Sequence, residues 1–139
     1  MKRILLFISL LLLGNAGMVI AQTPDYKVVF DITSKDSTDH KMVTRWMNEI
    51  AQADPTAQTE VVLYGKSLDM VVKGKSSVEA QIMKLGQNKN TAIRVCAVAM
   101  KNNHVEASQL LPGVIIVPDG IYELVKKQKE GWGYIKVSH

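Results

Sequence analysis

Ala92-Ile93-Arg94-Val95-Cys96-Ala97-Val98-Ala99-Met100-Lys101 carries a β-branched strand directly into a short helix, which Asn102-Asn103 closes. A strand that hands over to a helix at its carboxyl end is half of a βαβ unit. The same alternation recurs on both sides of this stretch. Upstream, Tyr26-Lys27-Val28-Val29-Phe30-Asp31-Ile32 and Thr59-Glu60-Val61-Val62-Leu63-Tyr64 read as two further strands. Between them Met42, Val43, Trp46, Met47 and Ile50 recur at helical spacing, which predicts a helix over 39–53 with one apolar face. That stripe reads as core, Trp46 included, and Asp54-Pro55 ends the helix. A second helix is expected over 78–85, with Ser76 or Ser77 as its cap, Glu79 in the first turn and Gly86 as its stop.

Downstream, a short helical piece is expected over 107–111. Pro112-Gly113 then introduces the compact strand Val114-Ile115-Ile116-Val117, and Pro118-Asp119-Gly120 turns into a helix over 121–130. Gly131-Trp132-Gly133-Tyr134-Ile135-Lys136-Val137 finishes the chain with a short strand. Strands that alternate with helices and lack polar alternation indicate an α/β three-layer sandwich: a mostly parallel sheet of about five strands, covered on both faces. Trp132 and Tyr134 either close the core of one subunit or pack at a contact between subunits.

The ends and the composition bound what this domain does. Residues 1–21 have the parts of a secretory signal: Lys2-Arg3, an apolar core over 4–13, and Val19-Ile20-Ala21 before cleavage at Gln22. The unbroken apolar run is shorter than the roughly 20 residues a membrane span needs, and Gly14-Asn15 interrupts it. The expectation is a cleaved signal peptide over 1–21, a single domain over 22–139, a periplasmic or secreted location and no membrane attachment after cleavage. Without Lys2 and Arg3 the formal charge falls from +4 to +2, 15 Lys and Arg against 13 Asp and Glu. That balance gives no reason to expect nucleic acid. The densest basic cluster, Lys126-Lys127-Gln128-Lys129, shares its helix with Glu123 and Glu130 and reads as a solvated face.

Most chemistry-bearing motifs are missing. Gly65-Lys66-Ser67 and Gly74-Lys75-Ser76 each lack the earlier glycine of a phosphate-binding loop, since those positions hold Glu60 and Asp69. His40, His104 and His139 form no metal-ligand spacing, so neither a metal nor a cofactor is expected. His104 follows Cys96 closely enough to approach it, or is an ordinary loop histidine. Cys96 is the chain's single cysteine. A lone thiol in an exported chain is a small buried hydrophobe, a link to another chain, or a reactive group. Its place at a strand's carboxyl end, where ligands of open α/β sheets collect, favours the reactive reading of Cys96 and leaves the buried one open. The helix that follows aims backbone N–H groups toward the sulfur, and nucleophilic or sulfur-carrying chemistry needs the ionised form. The loops 33–38 and 66–75 are expected to line a cleft beside it.

Three segments together resemble the DsrE/DsrF-like family of small sulfur-relay proteins. They are Arg94-Val95-Cys96-Ala97-Val98-Ala99-Met100-Lys101, the stretch from Leu110-Leu111-Pro112-Gly113 to Pro118-Asp119-Gly120, and the closing helix and strand from Glu123 to Lys136. Val61-Val62-Leu63-Tyr64-Gly65 stands in the place of the second strand. The resemblance implies a flavodoxin-like α/β sandwich that assembles into trimers or hexamers. It also implies that Cys96 is the catalytic candidate, which accepts sulfane sulfur as a persulfide from a donor protein and passes it to an acceptor. The competing reading is a non-enzymatic oligomeric or small-ligand-binding module in which Cys96 is structural.

Overall fold

The computed structural model describes residues 25–138, so the expected signal segment at 1–21 lies outside them. Strand β1 (Lys27–Ile32) leads into helix α1 (Ser37–Ala53). Strand β2 (Gln58–Leu63) is followed by a 3-10 turn (Ser67–Val71) and α2 (Glu79–Leu85). Strand β3 (Thr91–Cys96) continues without a break into α3 (Ala97–Asn102), then a second 3-10 turn (Ala107–Gln109). Strand β4 (Val114–Val117), α4 (Gly120–Lys129) and β5 (Gly133–Lys136) complete the order. The five strands form one sheet in the order β4-β3-β2-β1-β5, and every neighbouring pair is parallel.

The register decides which side chains share a face. Phe30 pairs with Val61, and Val61 with Ile93, so odd and even positions of β1, β2 and β3 separate cleanly. Val28, Phe30, Ile32, Val61, Leu63, Ile93 and Val95 face the main core, where Val43 and Met47 of α1 and Ile82 and Leu85 of α2 meet them. Burying each such side chain contributes roughly 1.5–3 kcal/mol relative to leaving it in water. Trp46 packs against this core and stacks on Phe30, ring centroids 6.2 Å apart. The opposite face is thinner. There α4 lies across the sheet alone, with Leu124 on Val29 and Val62 and with Tyr64 and Trp132 beside them.

Local chemistry sets the boundaries. Helix α1 begins two residues before the expected start because the Asp36 carboxylate accepts the Thr38 amide at 2.7 Å. The expected serine cap of α2 is absent: Val78 holds the cap position, while Ser76 Oγ accepts the Val78 amide and donates to the Met70 carbonyl. Gly86 does end α2, but with φ of −64°. Its missing side chain serves a close approach instead, since a Cβ there would lie 3.4 Å from the Ile82 carbonyl and 3.6 Å from Gly113 Cα.

Candidate functional site

Cys96 ends β3 and caps α3, so its backbone is extended while the next residue is helical. Its Cβ lies on the α4 side of the sheet. A methyl built on Gly120, the first residue of α4, would come within 3.2 Å of Cys96 Cβ, 3.2 Å of Val62 Cγ1 and 3.4 Å of Tyr64 Cβ. Glycine at this point lets the start of α4 rest directly on Cys96. The Asp119 carboxylate accepts the Ile121 and Tyr122 amides at 2.8 and 3.0 Å and fixes that helix start. The starts of α3 and α4 thus meet at one thiol.

The residue is only 5% exposed, yet it forms part of the wall of a cleft of about 360 Å³. Tyr64, Lys66, Val98, Asn103, Asp119 and Ile121 complete the walls, mixing an apolar surface with a few polar groups. Asn103 is held in place by donating to the carbonyls of Gly65 and Ala99 at 3.0 and 2.8 Å. A second cleft of about 220 Å³ adjoins the first and shares Lys66 and Asn103 with it, adding Lys35 and Lys75. Of the two loops expected to line the Cys96 cleft, 66–75 does so through Lys66, while 33–38 reaches only the adjoining cleft, through Lys35. His104 is not among the cleft residues; it is exposed, in a turn with φ of 53°.

Beside Cys96 lies a polar cluster that the sequence reading missed. Asp31, 4% exposed, accepts from Tyr134 Oη at 2.5 Å and from Lys136 Nζ at 2.9 Å. Lys136 Nζ also reaches Thr33 Oγ1 at 3.2 Å and stands 5.6 Å from the centre of the Tyr64 ring. Burial, and then the negative charge of Asp31, pushes the Tyr64 phenol up to about 12. The hydrogen bond to Asp31 pushes Tyr134 up to about 12 as well, with burial acting in the same direction. Both phenols therefore stay protonated at neutral pH and serve as hydrogen-bond donors. Tyr134 is half exposed, and Trp132 packs on the smaller core with Lys127 Nζ 4.4 Å from its ring centre.

A second charged cluster sits on the same face, nearer the amino ends of the strands. Glu60 of β2 and Arg94 of β3 meet Glu123 and Lys127 of α4. Lys127 was expected on a solvated helix face; it is 9% exposed, because α4 turns that side onto the sheet. Burial pushes the Glu60 carboxyl up, against the opposing pull of Arg94 and Lys127. The signal for both clusters was present in the strands. Asp31, Glu60 and Arg94 are charged residues inside β-branched runs of a sheet covered on both sides, where an ionised group needs a partner. Among the described residues, no group of three or more His, Cys, Asp or Glu is placed to hold a metal, and no helix is long and apolar enough to cross a membrane.

Solved structures with this fold come from distant organisms. A protein of unknown function from Methanobacterium thermoautotrophicum shares 24% identity over 81% of this chain and 99% of its own, with a TM-score of 0.74. The ychN protein from E. coli shares 13% identity over 80% of this chain and 98% of its own, with a TM-score of 0.69. A conserved protein of unknown function from Bacteroides thetaiotaomicron shares 20% identity over 80% and 94%, with a TM-score of 0.66. At these identities the likeness concerns the fold. No curated protein matches the chain. The model of the DsrE/DsrF-like family matches residues 27–137, from the start of β1 to the residue after β5. Members of that family are often oligomeric sulfur-relay proteins, and the chain belongs to the DsrE/DsrF-like family.

Proposed function

We propose that this protein is an exported sulfur carrier that holds a persulfide on Cys96. The observation that carries the reading is the position of Cys96: the one thiol of a DsrE/DsrF-like chain, at the carboxyl end of β3, where a cleft and two helix starts converge. In the loading step the Cys96 thiolate attacks the outer sulfur of a donor persulfide. A new S–S bond forms at Cys96, the donor's S–S bond breaks, and the donor leaves as its thiolate. The thiol proton goes to solvent and no net oxidation occurs. Unloading is the same exchange in reverse, with an acceptor thiolate attacking the terminal sulfur. Val98, Ala99 and Ile121 give the cleft beside the loaded sulfur an apolar wall.

The carrier works as a homo-oligomer, a trimer or hexamer in this proposal, with donor and acceptor proteins outside the cytoplasm. Ile121, Tyr122 and Val125 leave an apolar stripe on the outer side of α4 that suits contact with another subunit. Native thiol labelling of the purified protein tests the proposal. A carrier is labelled while folded and takes up one sulfur atom from a sulfane donor. If Cys96 is labelled only after denaturation and the folded protein gains no sulfur, the cysteine is structural and the binding-module reading replaces this one.

A further inference from the structure

The cleft at Cys96 does not end at the thiol. It continues past Lys66 and Asn103 into the second cleft of about 220 Å³, where Lys35 and Lys75 join the wall. The acids in the two clefts already have partners. The Asp119 carboxylate accepts the Ile121 and Tyr122 amides, and Asp69 stands 3.9 Å from Lys75 Nζ. Among the described residues, no ion pair neutralises Lys35 or Lys66. The junction of the clefts therefore carries uncompensated positive charge next to a nucleophilic sulfur.

Charge of one sign lining a cleft selects ligands of the other sign, and it raises their on-rates by about 10- to 1000-fold at low salt. The arrangement also has a direction. The sulfur lies in the first cleft against the apolar side chains of Val98 and Ile121, Lys66 lies at the junction, and Lys35 lies beyond it. A donor that uses the whole length has its sulfane sulfur at one end, a short apolar link, and negative groups several bonds away. The first cleft alone, at about 360 Å³, is within the usual range for small-ligand pockets.

We propose that Cys96 is also loaded directly by a small organic persulfide that bears carboxylates, with Lys66 and Lys35 holding the carboxylates while the sulfane sulfur meets the thiolate. This rests on the sulfur-carrier reading and names a donor class for it. In the step, the Cys96 thiolate attacks the outer sulfur of R–S–SH. An S–S bond forms at Cys96, the S–S bond of the donor breaks, and its electron pair leaves with R–S⁻. The sulfane proton stays on the transferred sulfur or passes to solvent, and no net oxidation occurs.

The test is the rate of sulfur uptake by the folded protein, read by intact mass. The probes are glutathione persulfide, which is anionic, 2-mercaptoethanol persulfide, which lacks a fixed charge, and cysteamine persulfide, which carries an ammonium. Each rate is divided by the rate of the same probe with a free neutral thiol, so that intrinsic reactivity cancels. The expected order is anionic, uncharged, cationic, with at least about a tenfold spread at low ionic strength that collapses in about 1 M salt. Lys66→Glu and Lys35→Glu, both on exposed residues, lower the anionic-to-uncharged ratio several-fold. A ratio is the right readout because both probes meet the same thiolate, whatever its ionisation in the variant. Lys89→Glu, in the cleft at the other end of the sheet, leaves the ratio unchanged. Equal normalised rates for the three probes, or an unaltered ratio in both cleft variants, overturns this proposal and leaves sulfur carriage standing. If no probe adds sulfur to the folded protein, sulfur carriage fails and this proposal fails with it.

Discussion

Gly120→Ala adds one methyl group at the contact between α4 and Cys96, and its effect can be worked from the neighbours. The new Cβ would stand 3.2 Å from Cys96 Cβ and 3.2 Å from Val62 Cγ1, both closer than ordinary van der Waals contact, and 3.4 Å from Tyr64 Cβ, at its edge. Cys96 Cβ is fixed by the backbone and Val62 Cγ1 belongs to a fully buried β-branched side chain, so neither can swing away freely. Either α4 lifts or the strands shift. Overpacking of this kind costs about 1–3 kcal/mol. Alanine is the better helix former by at most about 1 kcal/mol, and less at a first position than in a helix interior. Overpacking wins, and the variant is expected to be destabilised by about 1 kcal/mol, a drop in Tm of about 4 °C for a domain of this size. Thermal unfolding followed by circular dichroism reads the effect. Native labelling of Cys96 should also become faster in the variant, because lifting α4 uncovers the sulfur. A Tm equal to or above that of the unaltered protein, with unchanged labelling, would refute the claim that glycine is required for α4 to rest on the cysteine.

Two further outcomes follow from the polar clusters. In an alkaline ultraviolet titration, Tyr64 and Tyr134 should ionise near 12 in the folded protein, and Asp31→Asn should bring Tyr134 back further than Tyr64, since burial comes first among the causes at Tyr64. Their raised values stabilise the fold fully below the ordinary phenol value of about 10, and that contribution is lost as pH rises through about 12; a Tyr134 that titrates at the same pH with and without Asp31 would contradict the hydrogen bond. At Glu60 the folded-state value is raised, so the folded protein holds its proton more tightly than the unfolded chain, and stability falls as pH rises above the ordinary carboxyl value of 4.5. Urea midpoints measured across that window should show the fall in the unaltered protein and a flatter profile in Glu60→Gln; a steeper fall in the variant would mean that Arg94 and Lys127 outweigh burial.

Much of this architecture could be read from the chain because its strands and helices differ in period. The β-branched runs at 26–32, 59–64, 92–96 and 114–117 and the 3.6-residue stripe of α1 each point to one element, and the order of elements then requires a parallel sheet. The 3-10 turn at Ser67–Val71 was missed because its apolar residues, Leu68, Met70 and Val71, follow neither period; tertiary burial against the main core holds it. The place of Cys96 was legible from the strand-to-helix junction alone. Its neighbours were not. Tyr64, Gly120, Asp31 and Lys136 come from four separate stretches, and only the pairing of β1 with β2 and β5 brings them together. Lys127 was misplaced because a helix with charges on several sides does not announce which side meets the sheet. That choice is made by Leu124 on Val29 and Val62 and by the carboxylate of Glu60.

Sulfur carriage by this protein requires that Cys96 take up sulfur in the folded state. The most direct measurement is the intact mass of the folded protein before and after incubation with a sulfane sulfur donor, alongside Cys96→Ser and a thiol-blocked sample. The account predicts a gain of one sulfur atom that is reversed by a reducing thiol and absent from both controls. No gain in the folded protein, or the same gain in Cys96→Ser, would contradict it.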